Sequence, residues 1–233
     1  MSGIPGTVGA SPIQNIGAYG HEVSEVIARV KTWDRKLKEL KTFSNSECEF
    51  SYRNSRFKKE RDRYVILEVT FQLRNGEMSL PISYQELANY LGVKLGDKAQ
   101  VSDVRKAVLA LRAAKGMLLD KSDHDTWSAG SFFVNPIISA DAAAKLPANA
   151  PRWIQPDGRV KTSAAWLMEQ AGVRKGEARN GAGVSTKHVL ALVNNGSATS
   201  KDIVDLARNS RKLVKEKFGI VLEPEVYFVE CEL

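Results

Sequence analysis

Ser2-Gly3-Ile4-Pro5-Gly6-Thr7-Val8-Gly9-Ala10-Ser11-Pro12-Ile13-Gln14-Asn15-Ile16-Gly17-Ala18-Tyr19-Gly20 opens the chain behind a single methionine. Glycine recurs at 3, 6, 9, 17 and 20, a pattern that marks backbone at positive φ or in close approach to another group. The stretch is no flexible linker. Ile4, Val8, Ile13, Ile16 and Tyr19 are apolar anchors, and Pro5 and Pro12 stiffen the path. A rigid loop poor in side chains offers backbone N–H groups to an anion or a cofactor. It matches neither the Walker A pattern nor the G-x-G-x-x-G dinucleotide fingerprint. Two readings therefore stand, a cofactor loop and a buried structural turn. A rigid loop normally joins two packed elements, so a portion of protein ahead of Met1 is expected to be missing.

Downstream, Val23–Trp33 alternates and reads as a strand. Asp34-Arg35-Lys36 reads as a turn, and Leu37–Phe43 as a partner strand, with a helix as its rival. Ser44 and Glu47 form a capping-box pattern ahead of a short helical turn. Tyr64–Leu73 alternates cleanly (Val65, Leu67, Val69, Phe71, Leu73) and reads as a strand. Ser83 and Glu86 suggest the start of a helix running to Leu91, and Ser102 suggests the cap of a longer one with Val104, Ala107, Val108 and Leu111 on one face. Residues 116–128 are polar and read as the crossing between two subdomains. Beyond them come helices near Ala140–Leu146 and Ser163–Ala171, a strand at Val189–Val193, a long helix capped by Ser200 and stopped by Gly219, and a final strand over Ile220–Val229. Without a regular βαβ rhythm, the fold class is α+β.

The 233 residues suffice for one large or two small domains, and 43% apolar with 26% charged residues is an ordinary globular composition. No run of about 18 apolar residues marks a membrane span, and no signal peptide opens the chain. Two widely separated cysteines, Cys48 and Cys231, argue against a disulfide framework and fit a reducing cytoplasm. The net charge of +7 points to an anionic partner, either nucleic acid or a phosphorylated small molecule, or to a solvated mixed surface. The basic residues are spread along the chain with acids between them; Phe50–Lys58 is one aromatic–basic cluster in an irregular segment, but no stacking-plus-basic pattern extends from it, which disfavours nucleic acid.

Candidate chemistry is sparse. His21, His124 and His188 lack metal-ligand spacing. Ser131, in Gly130-Ser131-Phe132-Phe133-Val134-Asn135-Pro136, could point into a pocket, but no Gly-x-Ser-x-Gly elbow surrounds it. Arg53 stands between Tyr52 and Phe57, a setting for an anion or a π face. Lys115 ends an apolar helix face and can snorkel or reach a phosphate. Glu225 falls by alternation on the polar face of its strand.

Taken together, five stretches resemble the UDP-N-acetylenolpyruvoylglucosamine reductase family: Ser2–Gly20; Tyr52-Arg53-Asn54-Ser55-Arg56-Phe57-Lys58; Gly130–Pro136; Gly158-Arg159-Val160-Lys161 followed by Ala165-Trp166-Leu167; and Leu222-Glu223-Pro224-Glu225. They follow the family's order along the whole chain. The resemblance implies the C-terminal part of an FAD-binding (PCMH-type) domain over residues 1–120 and a substrate-binding α+β domain over 121–226. It further implies a tail strand over 227–233 that returns toward an absent first flavin domain.

The implied activity is NADPH-dependent reduction of UDP-N-acetylglucosamine enolpyruvate through FAD, in the cytoplasm, by a monomer with no nucleic-acid partner. Such a reaction needs a positive group for a developing enolate and an acid on the opposite side. By resemblance Arg53 stabilises that charge, Ser131 donates the proton and Glu225 assists it. FAD contacts fall on Ile4, Pro5, Gly6, Ser11, Gln14, Asn15, Gly17, Ala18 and Tyr19. Substrate contacts fall on Tyr84, Lys115, Asn135, Trp153 and His188. Ser51, Val134, Tyr227, Trp153 and His188 depart from the usual family residues, which implies altered nucleotide contacts around unaltered chemistry. The alternative is a flavin-free fragment that binds the UDP-sugar without reducing it.

Overall fold

The computed structural model describes all 233 residues. They form two compact units, Met1–Arg112 and Ala113–Leu233.

In the first unit the opening loop makes one 3-10 turn at Val8–Ala10 and then a minimal hairpin, β1 (Gly17–Ala18) against β2 (His21–Glu22). Both residues of its turn have positive φ, Tyr19 at 54° and Gly20 at 85°, as a two-residue turn of the tight hairpin type requires. A 3-10 turn at Val23–Glu25 follows, so the strand expected from Val23 begins later, as β3 (Ile27–Asp34). β3 lies between β4 (Glu39–Ser44) and β5 (Tyr64–Phe71) in an antiparallel sheet.

A register irregularity between Ile27 and Arg29 explains why Ile27 and Val30 are both buried although three positions apart. Beyond it the alternation is clean, with Val30, Thr32 and Asp34 inward. The sheet closes over Val23, Phe43, Cys48 and Phe57, with Phe43, Phe57 and Tyr64 in mutual edge-to-face contact.

Asp34 decides the choice between strand and helix for the segment after it. Its buried carboxylate accepts the backbone N–H groups of Lys36 and Leu37 at 2.9 and 3.1 Å and a forked pair of bonds from Arg63. That reverses the chain within four residues, and the segment returns as β4.

Ser55 caps the short helix α1 (Arg56–Lys59), its hydroxyl accepting from Phe57 and Lys58 N–H. A small second core then forms between α2 (Gln85–Leu91) and α3 (Val101–Ala114), centred on Ile82, Leu87, Ala107, Val108 and Leu111. Neither expected serine caps these helices. Tyr84 holds the cap position of α2 without a side-chain bond, and Ser102 lies inside the first turn of α3.

The second unit carries an antiparallel sheet in the order β10 (Ala178–Arg179), β11 (Ala182–Val184), β12 (Ala191–Asn194), β6 (Ser128–Ser131). A smaller sheet runs β7 (Ile137–Ile138), β9 (Val160–Lys161), β8 (Trp153–Ile154). The helices are α4 (Ala140–Ala144), α5 (Ala164–Gln170) and α6 (Ser200–Phe218). Phe133, Leu167, Met168, Val189, Val214 and Leu222 are fully buried in its core.

Thr199, not Ser200, caps α6: its hydroxyl accepts from Asp202 N–H and the Asp202 carboxylate accepts from Thr199 N–H. Gly219 ends the helix at φ 69°. The strand expected over Ile220–Val229 does not form, and residues 227–233 hold no strand either. The segment keeps only an isolated bridge between Phe133 and Pro224, since the Phe132 N–H that would extend the pairing donates instead to Leu190 O. Buried Ile220 and Leu222 anchor it instead. All paired strands in both units are antiparallel, which makes the class α+β.

Candidate functional site

In the first unit the Gly-rich loop divides into two halves. Around Gly3 and Gly6 the chain is open: Gly6 has φ 125°, a Cβ there would meet nothing within 4 Å, and Pro5 and Gly6 are exposed with Ile4 half-buried. The backbone N–H groups of Gly6 to Gly9 donate to nothing within the chain. From Ser11 onward the loop is locked. Ser11 is buried and donates to Val8 O at 2.7 Å. Ser55 donates to Ile13 O at 2.5 Å.

Asn15, fully buried at φ 49°, donates to Glu22 Oε2 at 2.7 Å and to Ser51 O at 3.2 Å, and accepts from Ser24 N–H at 3.0 Å. The Asn15 side chain is thus engaged inside the protein, and any ligand contact from this residue falls to its backbone. Gln14, Ala18 and Tyr19 are half-buried beside it.

Arg53 occupies a tight turn closed by Ser51 and Asn54, at φ 52°. Its Nη2 donates to Gly17 O at 2.8 Å, and Nη1 stands 4.0 Å from Glu22 Oε1. The Tyr52 ring lies 5.1 Å from the guanidinium carbon. Gly17 is needed for this approach: a Cβ there would stand 2.7 Å from His21 O and 3.2 Å from Arg53 Nη1.

Tyr84, 40% exposed, meets Tyr19 edge-to-face at 5.4 Å between ring centroids. Burial pushes the Tyr19 phenol above its usual range, and nearby Arg112 partly opposes this. Arg112 also makes a long contact of 3.5 Å from Nη2 to Gly3 O. Sequence reading missed this cation, since nothing in the spacing of α3 points from its last turn back to residue 3.

In the second unit Ser131 ends β6, an edge strand, directly after Gly130 at φ 77°. It pairs with Ala191 beside a ladder irregularity, and no protein group holds its hydroxyl. Glu225 is brought to the same stretch by two backbone bonds that bracket Phe133: Glu225 N–H donates to Phe132 O at 2.8 Å, and Val134 N–H donates to Glu223 O at 3.0 Å. Asn135 Oδ1 accepts from Ala164 N–H at 2.9 Å and so fixes the start of α5, beside Ser163, which caps it through Trp166 N–H. Ser131, Asn135 and Glu225 therefore gather on one short stretch and its bridged partner.

The other expected substrate residues of this unit stand on separate pieces. Trp153, 47% exposed on β8, has Lys161 Nζ over its ring at 5.9 Å. His188 Nδ1 accepts from Leu190 N–H at 3.1 Å, which leaves the proton on Nε2 in the neutral ring. Its turn is tied down by Asp125, which accepts from Ser185 and Thr186. Lys115 follows α3 and is half-buried. A cavity of about 510 Å³ opens beside β6, lined by Leu119, Trp127, Phe132, Leu192 and Ile203 among others. Ser131 is not in its wall. Elsewhere in the unit Arg152 donates to the carbonyls of Ala143, Leu146, Pro147, Ala148 and Ala150, so its fork of donors is spent on holding one loop.

These features define an α+β protein of two units, the first carrying a Gly-rich loop folded against an arginine and the second a serine and a glutamate on bridged backbone. Residues 121–229 match the family model described as UDP-N-acetylenolpyruvoylglucosamine reductase, C-terminal domain. A protein of that name from Cutibacterium acnes is 54% identical over 236 residues, covering 100% of this chain and 62% of its own length. Another of that name, from Streptomyces avermitilis, is 50% identical over 244 residues, covering 100% of this chain and 67% of its own length. The chain belongs to the UDP-N-acetylenolpyruvoylglucosamine reductase family. The crystal structure of UDP-N-acetylenolpyruvylglucosamine reductase from Thermus caldophilus shares the fold, with a TM-score of 0.57 at 23% identity over 96% of this chain and 60% of that one. The chain thus spans about two thirds or less of the lengths of these proteins.

Proposed function

We propose that this chain serves the NADPH-dependent reduction of UDP-N-acetylglucosamine enolpyruvate to UDP-N-acetylmuramate, a step of peptidoglycan precursor synthesis in the cytoplasm. The observation that carries the reading is the bracketing of Phe133, which brings Glu225 to the stretch that carries Ser131 and Asn135. The relatives' names supply the reaction class.

FAD fits the residues present. The open space at Gly6 and the undonated N–H groups that follow it suit the phosphates of a dinucleotide, with Ile4 and Pro5 beside them. When bound, the flavin supplies the hydride relay between NADPH and the substrate's double bond. The remaining roles belong to side chains. The net change adds one hydride and one proton across a carbon–carbon double bond conjugated to a carboxylate. Hydride addition places negative charge on the enolate of that carboxylate, and Arg53 is the cation assigned to it. The adjacent carbon then takes a proton from the Ser131 hydroxyl, which no protein group holds. Glu225 assists that transfer, since a lone serine is a weak acid. Asn135 retains its amide N–H groups for the sugar while its oxygen fixes α5. Tyr84, Lys115, Trp153 and His188 are assigned to the nucleotide.

A second reading, binding of the UDP-sugar without flavin, draws on a different observation: the C-terminal domain match over 121–229 lies wholly within the second unit. One experiment separates the two. The chain is incubated with FAD, desalted, and titrated calorimetrically with UDP-N-acetylglucosamine enolpyruvate. Retained flavin absorbance together with substrate heat supports the reductase reading. Substrate heat with a colourless protein supports the second. Absence of both contradicts the proposal.

A further inference from the structure

The guanidinium of Arg53 is approached by a carboxylate that is itself held in place. Glu22 Oε1 stands 4.0 Å from Arg53 Nη1, and Glu22 Oε2 accepts from Asn15 Nδ2 at 2.7 Å. Asn15 is fully buried, and its amide also grips Ser51 O and Ser24 N–H. One amide thus fixes the Glu22 carboxylate and the entry to the turn that carries Arg53. The Glu22 backbone is fixed as well, its N–H donating to Glu25 Oε1 at 2.8 Å. Arg53 donates to Gly17 O at 2.8 Å and lies against the Tyr52 ring. The guanidinium is thus held on one side by Gly17 O and faces, on the other, a carboxylate whose own place Asn15 fixes. The pair is only partly exposed, 19% for the Arg53 side chain and 32% for Glu22, where an ion pair is less screened than at an open surface.

We propose that Glu22 is a positioning residue for Arg53: clamped by Asn15, it orients the guanidinium toward the incoming carboxylate of the enolpyruvyl group and tempers its charge. The purpose rests on the reading of Arg53 given above; the geometry does not. Nothing in the sequence pattern singles Glu22 out, because Asn15, Glu22 and Arg53 share no spacing.

The test uses the 233-residue chain and the side-chain NMR signals of Arg53, assigned by their loss in Arg53→Lys. Glu22→Gln retains an oxygen for Asn15, removes the charge and turns an NH2 in place of an acceptor oxygen toward Arg53. The expected result is an Arg53 guanidinium whose Nη protons are resolved in the parent chain and averaged by rotation in Glu22→Gln, with the thermal midpoint unchanged. Phosphoenolpyruvate serves as the carboxylate probe. Its affinity at Arg53 is expected to rise about three-fold in Glu22→Gln, since an unopposed cation attracts an anion more strongly. A purely structural Glu22 would shift the thermal midpoint and leave both readouts where they were. Unchanged Arg53 signals in Glu22→Gln overturn the proposal. If that variant fails to fold, Glu22→Asp decides, since a shortened carboxylate must also free the guanidinium. Unchanged probe affinity in Arg53→Ala overturns instead the reading of Arg53 as the anion-receiving group, and the rotation data still judge Glu22.

Discussion

At the residue scale, Asp34 shows how one buried carboxylate can set a fold. It accepts two turn N–H groups and the fork of Arg63, and those bonds turn β3 into β4. The Arg63 hydrogen bonds hold its carboxyl below the ordinary 3.8, outweighing the burial that acts to raise it, with the Leu37 and Lys36 amides adding to the effect. A depressed folded value means that the stabilisation is complete above about pH 4 and is lost as pH falls through the folded value. We expect the thermal midpoint of the parent chain to drop steeply below about pH 4. Asp34→Asn should start lower and show a flatter acid limb in the same pH series. Equal acid limbs would remove Asp34 from this role. The residue was legible only as part of a turn in the sequence. That it is buried, and that a residue nearly thirty positions away pairs with it, follows from the β3–β5 pairing and not from any local pattern.

At the element scale, hydrophobic alternation located the strands, but a shift in ladder register changes which face is buried. β5 forms where alternation placed it, but Val65, Leu67 and Leu73 of the expected face are exposed, and Tyr64 and Ile66 pack on the core with Val69 and Phe71, because the ladder to β3 shifts register between Lys31 and Thr32; β3 starts later than expected because Val23–Glu25 closes into a turn. Caps were harder to place. Several hydroxyl residues near a helix start look alike in sequence, and the φ/ψ of the junction selects among them. For α6 the choice fell on Thr199, one residue before the serine that the pattern favoured. Thr199→Ala should therefore cost about 1 kcal/mol in urea denaturation. Ser200→Ala, inside the first turn, should stay within about 0.5 kcal/mol. The reverse order would return the cap to Ser200. The strand expected after α6 failed for a reason that the sequence does not show: Phe132 N–H, which would extend the pairing, is taken by Leu190 O. Its single bridge is still enough to carry Glu225 to the Ser131 stretch.

At the scale of the whole molecule, the division into two antiparallel units fits the α+β class, and five motifs in order pointed to the family that the relatives confirm at 50–54% identity across the chain. The candidate site was legible in part. Ser131, Asn135 and Glu225 are drawn together within the second unit, and Arg53 is folded onto the Gly-rich loop within the first. Asn15 turned out to be a brace for that loop through its side chain. Glu22 and Arg112 went unnoticed, because contacts between the loop and distant turns leave no periodicity to read.

The central claim is that Ser131 delivers the proton that completes reduction. Its most direct test is transient kinetics on flavin-loaded protein, comparing the parent with Ser131→Ala. In the variant, flavin reduction by NADPH should proceed at the parent rate, while flavin reoxidation by UDP-N-acetylglucosamine enolpyruvate should fall by about 100-fold or more, the scale of a lost general acid. Equal loss of both half-reactions, or reoxidation at the parent rate, would contradict it.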